Sequence, residues 1–190
     1  MGIALSIIVF LLVLVLIWGI IIFNGLVRLK HNVSQSWSNI DVLLRQRHDE
    51  LPKLVETARQ YMHYERDTLE RVMEARAAVN DAQQRGDVAA LGGAEQGLRL
   101  GLGNLFAVAE AYPELKANET FRHLQQRITG LENEIADRRE FYNAAVNTNN
   151  IRIEQFPDVV IAQLFRFRAF RLLEFDRKTT EDVDVKALFS

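Results

Sequence analysis

Residues Trp37 to Tyr61 read WSNIDVLLRQRHDELPKLVETARQY. Their apolar positions, Trp37, Ile40, Leu44, Leu51, Val55 and Ala58, fall at steps of three, four or their sum. That is the spacing of one face of an α-helix. Pro52 interrupts the run, and a mid-helix proline removes one hydrogen bond and crowds the preceding turn. The pattern keeps its phase across Pro52, which predicts one long helix kinked there rather than two helices. The missing proline N–H leaves the carbonyl of His48 without its usual donor. His48, with Arg45 and Arg47 beside it, therefore reads as polar compensation at a kink.

Outward from this stretch the stripe continues. Leu26, Leu29 and Val33 precede it, and Met62, Leu69 and Val72 follow, which predicts a helix to about Gln84. Arg85-Gly86-Asp87 stops it: glycine suits a helix C-terminus and Asp87 can cap the next helix. The second helix is expected from Val88 to about Ala111. It carries Gly93, Gly97 and Gly101, each costing up to about 1 kcal/mol relative to alanine, so another helix is expected close by. Tyr112-Pro113 breaks it, because a residue before proline avoids the helical region. Asn118 can cap a third helix with Phe121, Leu124, Ile128, Leu131, Ile135, Tyr142 and Val146 on one face. The run Asn147 to Asn150 is weak helix material and is expected to end it. Asp158 can cap a fourth helix reaching about Phe175.

Ahead of all this lies IALSIIVFLLVLVLIWGIIIF, Ile3 to Phe23, uncharged and long enough for a hydrocarbon core of roughly 30 Å. No Lys or Arg precedes it and no small-x-small cleavage site follows, which favours a retained helix over a signal peptide. Arg28, Lys30 and His31 follow it, so the positive-inside rule places the N-terminus outside and the rest in the cytoplasm. The expected fold class is all-α: a transmembrane helix (1–25), an antiparallel four-helix bundle with a long, kinked first helix (26–177), and a polar tail (178–190).

Lengths suggest self-association. A helix from Leu26 to Gln84 would run about 88 Å at 1.5 Å per residue, and the second and third helices would cover roughly half of it. Leu26, Leu29, Val33, Trp37, Ile40 and Leu44 would then form a bare apolar stalk, covered by other copies or by fold-back near Pro52; the preserved phase disfavours fold-back, so a homo-oligomer with the stalk in its interface is expected.

Signs of chemistry are sparse. The chain of 190 residues has a formal charge of −2 and no cysteine. That excludes disulfides and thiolate chemistry, and gives no basis for nucleic-acid binding. Bundle di-metal sites need Glu-x-x-His pairs, and none occurs. His-Glu-x-x-His is also missing, and Gly101-Leu-Gly103 lacks the third glycine and the preceding strand of a dinucleotide loop. No cofactor, metal or catalytic residue is expected. Arg138-Arg139-Glu140-Phe141-Tyr142-Asn143 reads as a solvated face, or as a polar cluster in which Arg138 or Arg139 meets Glu65. In Leu164 to Leu173, aromatic residues alternate with arginines. Phe165, Arg166, Phe167, Arg168, Phe170 and Arg171 read as a bundle helix with its arginines in water, or as a contact for membrane or partner.

Several stretches occur together and in order: Trp37 to Tyr61 as quoted, TLERVMEARAA, AVAEAYPELKANETF, EIADRREFYN and IEQFP. With them the chain, from about Asn24 to Phe175, resembles the LemA family of bacterial membrane-anchored proteins. The glycines of the second helix and the Asn147 to Asn150 run depart from the family pattern. The resemblance implies a four-helix bundle behind a membrane helix and supplies no catalytic residues. The expected function is a non-enzymatic scaffold at the bacterial inner membrane that self-assembles or regulates other envelope proteins. An accessory subunit of a membrane protease or quality-control complex is the alternative, and a hydrolase or metalloenzyme of unknown type a third.

Overall fold

A computed structural model describes residues 2–174, and all regular secondary structure among them is helical. The helices are α1 (Gly2–Arg59), α2 (Arg66–Arg85), α3 (Val88–Ala109), α4 (Pro113–Ala117), α5 (Glu119–Glu154) and α6 (Asp158–Leu164). The expected tail at 178–190 lies outside the described residues. Two compact units emerge: 2–44 with 132–172, and 45–131 with 173–174.

The first helix is continuous through Pro52, as the preserved phase implies, but it ends at Arg59 rather than Gln84. The amides of Tyr61 and Met62 both return to the Ala58 carbonyl, at 3.0 and 2.9 Å, and close a turn. Met62 is buried, and the Tyr61 hydroxyl accepts from Asn118 Nδ2 at 3.1 Å. The turn is fixed by tertiary partners and contains neither glycine nor proline, so local sequence does not announce it.

In the second unit α2 packs on α3 across a two-residue connection. Gly86 takes a left-handed conformation (φ 64°), and the Asp87 amide reaches back to Ala82 while that of Gly86 reaches Gln83. This is the Schellman closure that glycine permits. Asp87 then caps α3, its carboxylate accepting from the Ala90 amide at 3.1 Å. Asn118 caps α5 in the same way at Phe121, at 3.0 Å. The core gathers Leu51, Leu54 and Ala58 of α1, Leu69 and Val72 of α2, Leu91, Leu98 and Leu105 of α3, and Phe121 and Ile128 of α5. Each of the larger side chains contributes about 1.5–3 kcal/mol by leaving water, and Ala58 less.

The α3 glycines behave differently from the expectation. A Cβ on Gly93 or Gly97 would meet open space, and one on Gly101 would make ordinary contact with Val72. Close approach occurs instead at Gly92, where a Cβ would overlap the carbonyl oxygen of Glu174.

In the first unit, large apolar side chains from Ile3 to Ile21 are exposed, and burial begins at Ile22. Ile22 and Leu26 join Ile153 and Ala162 in a small core, with Ile161 and Phe167 against it. The stalk stripe is internal: Leu26, Val33, Ile40 and Leu44 are buried and Leu29 and Trp37 half-buried within one chain. The bare surface on which the inter-copy interface rested is therefore not there. Only a helix running on to Gln84, with a third helix ending near Asn150, would leave the stripe bare. α5 instead continues to Glu154, and its later half belongs to the same unit as the stripe.

The expected fourth helix stops at Leu164, and Phe167 to Glu174 is not helical. Arg166 adopts φ 58°, the Phe167 amide reaches Ala162 at 2.9 Å, and the Arg166 amide reaches Gln163 at 3.2 Å. This is a second Schellman closure, with arginine where glycine is usual. Packing of Phe167 against Ala162 and its neighbours offsets the left-handed penalty of about 1–2 kcal/mol. Asp158 does not cap α6 as expected; it is buried and paired with Arg152.

Candidate functional site

The most concentrated polar chemistry is the turn of α1 just before Pro52, inside the second unit. Arg47, His48 and Glu50 fall within four positions on three sides of the helix, and each meets a different partner helix.

Arg47 enters the core, 1% exposed, and its guanidinium pairs with Glu95 of α3, 4% exposed. Two ions out of water each carry a desolvation penalty of several kcal/mol, which a direct, charge-assisted hydrogen bond repays in part. His48 is half-buried and faces Arg76 of α2. The guanidinium donates from Nε to the His48 carbonyl at 2.9 Å and from a terminal nitrogen to His48 Nε2 at 2.6 Å. Arginine only donates, so Nε2 accepts and Nδ1 carries the proton. Glu50 takes Lys53 Nζ at 3.3 Å from its own helix and Arg127 Nε at 3.5 Å from α5.

The orphaned His48 carbonyl was foreseeable from Pro52, but its donor was not. Arg45 and Arg47 stand beside it in sequence, whereas Arg76 supplies the bond from another helix. Burial holds the His48 pKa below its usual 6.5, helped by the Arg76 and Arg47 charges and opposed by Asp49. His48 is neutral at pH 7.

Glu65 sits at the N-cap of α2 and makes no side-chain capping bond there. Arg138 and Arg139 belong to the first unit, on α5; Arg138 is exposed, with its guanidinium 5.9 Å from the Phe141 ring centre. A cleft of about 330 Å³ lies where α1 turns into α2, lined by Arg59, Met62, His63, Arg66, Leu69 and Glu70. Among the described residues no three His, Asp or Glu side chains come together as a metal site.

In the first unit α5 holds the extended segment after α6. Asn150 Oδ1 accepts from the Phe170 amide at 3.0 Å, and its Nδ2 donates to the Phe170 carbonyl at 2.9 Å. The Tyr142 hydroxyl donates to the Arg171 carbonyl at 2.9 Å, burial pushes its pKa up, and its ring lies 5.5 Å from that of Trp37. Asn149 is buried and α5 runs on past this run. Of the asparagines expected to end the helix, Asn150 grips a second segment, and Asn149 Nδ2 donates to the Asn150 Oδ1 at 3.3 Å. At the other end, Phe23 packs on Phe165 and Phe167, ring centres 4.7 and 5.8 Å apart. Arg166, Arg168 and Arg171 are exposed, and Phe170 is half-buried.

A family model described as "LemA family" matches residues 36–187. The chain belongs to the LemA family. Within its match this LemA-family chain carries the whole pre-Pro52 cluster, α2, α3 and the Asn150 grip. It is 38% identical over 96 residues to magnetosome proteins MamQ 1 and MamQ 2 of Paramagnetospirillum magneticum, covering 50% of this chain and 35% of each of those proteins. It is 23% identical over 186 residues to magnetosome protein MamQ of Magnetospirillum gryphiswaldense, covering 86% of this chain and 68% of that protein. The chain thus spans about a third of the length of the first two relatives. LemA membership accords with the helical fold and assigns no reaction to the polar cluster.

Proposed function

We propose that this LemA-family chain is a single-pass, membrane-anchored helical scaffold that organises other envelope proteins and does no chemistry itself. One observation carries the reading. α1 holds the exposed apolar stretch from Ile3 to Ile21 and the core positions from Ile22 to Ala58 in one uninterrupted helix. The apolar stretch is about 28 Å long at 1.5 Å per residue, which suits a bilayer core. Such an anchor leads into the folded part without a flexible tether.

In this reading the span sits in a bacterial inner membrane, with Arg28 and Lys30 keeping the C-terminal side in the cytoplasm. The distal part of α1 with α2, α3 and the first half of α5 forms an antiparallel four-helix bundle. The charged groups before Pro52 fix the helices against one another, a registry role open to buried ion pairs. They have partners within the fold, so the outer surfaces are left to bind other copies or other membrane proteins. The names of the relatives favour one setting, a magnetosome or a comparable assembly.

The test is the mass and composition of the particle extracted from native membranes in mild detergent. The scaffold reading expects more than one polypeptide, either copies of this chain or other membrane proteins. A dominant protease would favour the accessory-subunit alternative. A lone monomer at native expression would reject the scaffold.

A further inference from the structure

We propose that α6 and its flanks form a second membrane contact, a shallow wedge of Phe156, Val160, Leu164 and Phe165 lying in the bilayer interface beside the span. The proposal rests on the anchoring reading above. These four side chains are 78%, 57%, 70% and 54% exposed, although all are large and apolar. Val160 and Leu164 are one turn apart and share a face of α6. Four large apolar side chains exposed within ten positions are a run that a soluble surface rarely leaves bare.

Position identifies what covers it. A Cβ on Gly19 would lie 3.8 Å from Ile161 Cδ1, so the inner face of α6 sits against the last turn of the exposed apolar stretch. Phe23, two residues past that stretch, packs on Phe165. The patch is thus level with a part of α1 that already faces hydrocarbon, and lipid meets both without a break.

Charge agrees. Arg28 and Lys30 follow the span within two turns and are exposed, as are Arg166 and Arg168 just past the patch. Long cationic side chains beside buried apolar ones are suited to reach phosphate headgroups. The nearby carboxylate Asp158 is buried and neutralised by Arg152, and Glu154 stands exposed at the end of α5. An interfacial helix of this kind lies about 5–10 Å into the headgroup and acyl boundary.

The chain has no cysteine, so single-cysteine variants of the full chain take one nitroxide label each. Leu164→Cys reports the wedge, Leu12→Cys the span, and Val42→Cys, exposed on α1, the water phase. The labelled chains are reconstituted in phosphatidylethanolamine–phosphatidylglycerol vesicles, and collisions with oxygen and with a nickel chelate are measured. The wedge predicts a ratio of oxygen to nickel collisions at Leu164→Cys severalfold above that at Val42→Cys and below that at Leu12→Cys. A ratio equal to that of Val42→Cys, with Leu12→Cys still lipid-like, overturns the wedge and leaves the anchor standing. A label at Leu164→Cys shielded from both reagents means protein covers the patch, and also overturns it. A water-like Leu12→Cys removes the anchor itself.

Discussion

Arg76 Nε donates to the carbonyl oxygen of His48 at 2.9 Å, the carbonyl whose helical donor Pro52 lacks. A side chain from α2 thus completes a hydrogen bond of α1. Arg76→Met should cost about 1–3 kcal/mol, the usual penalty for stranding a partly buried acceptor. Pro52→Ala restores the amide donor, so the same substitution should cost less in that background. A four-member cycle of chemical denaturation measures the coupling. An equal penalty in both backgrounds would show that Arg76 acts independently of the proline.

The lowered pKa of His48 has a signed consequence for stability. The unfolded chain protonates this imidazole near 6.5, whereas the native chain resists until lower pH. Within that window the unfolded state binds more protons, so stability falls as pH falls, and above about 6.5 the group contributes no pH dependence. The stability difference between wild type and His48→Gln should be flat at neutral and alkaline pH and shrink on acidification. Thermal unfolding across the window measures it. A difference that grows toward low pH would contradict the assignment of a neutral native imidazole.

The buried Arg47–Glu95 pair should respond asymmetrically to substitution. Glu95→Ala leaves a guanidinium inside the core and should cost about 3–5 kcal/mol. Arg47→Met with Glu95→Leu removes both charges at similar volume and should cost much less, or nothing. Equilibrium denaturation of the two variants decides it. If the double variant is at least as unstable as the single, the pair is a net stabiliser and the desolvation argument fails here.

Trp37 and Ile40 test how the proximal stripe is covered. Ile40 is fully buried and the Trp37 ring meets Tyr142 within one chain. Trp37→Glu with Ile40→Glu should therefore unfold the first unit, losing protection of Tyr142 and the Asn150 grip in hydrogen exchange. Intact exchange protection together with a smaller particle mass would restore the interface between copies.

These cases show which features were legible in the sequence. Gly86, Asp87 and Asn118 act within a few residues of themselves, and each closes or caps the helix that local chemistry assigns to it. The phase of the apolar stripe across Pro52 is likewise local, and α1 is unbroken there. The end of α1 at Arg59 depends on Asn118 reaching Tyr61 across 57 positions. The end of α6 depends on Phe167 packing against a core that includes α1. At the cluster, the proline identified the carbonyl in need, but helix periodicity cannot say which arginine of another helix answers it. Asn147 to Asn150 misled for a related reason. Asparagine competes with the helix only while its amide has no better partner, and Asn150 has Phe170.

The Asn150 grip reads main chain alone. Its amide pairs with the peptide groups of Phe170, and Tyr142 takes the carbonyl of Arg171. Any residue with a free amide supplies the same groups at position 170. The seat therefore fixes the direction and alignment of this segment while placing almost no demand on its lettering. Phe165 and Phe167 answer to Phe23 and the small core, but from Arg168 to Leu172 the lettering is a message the grip does not require, free to drift or to be tuned by whatever meets it from outside.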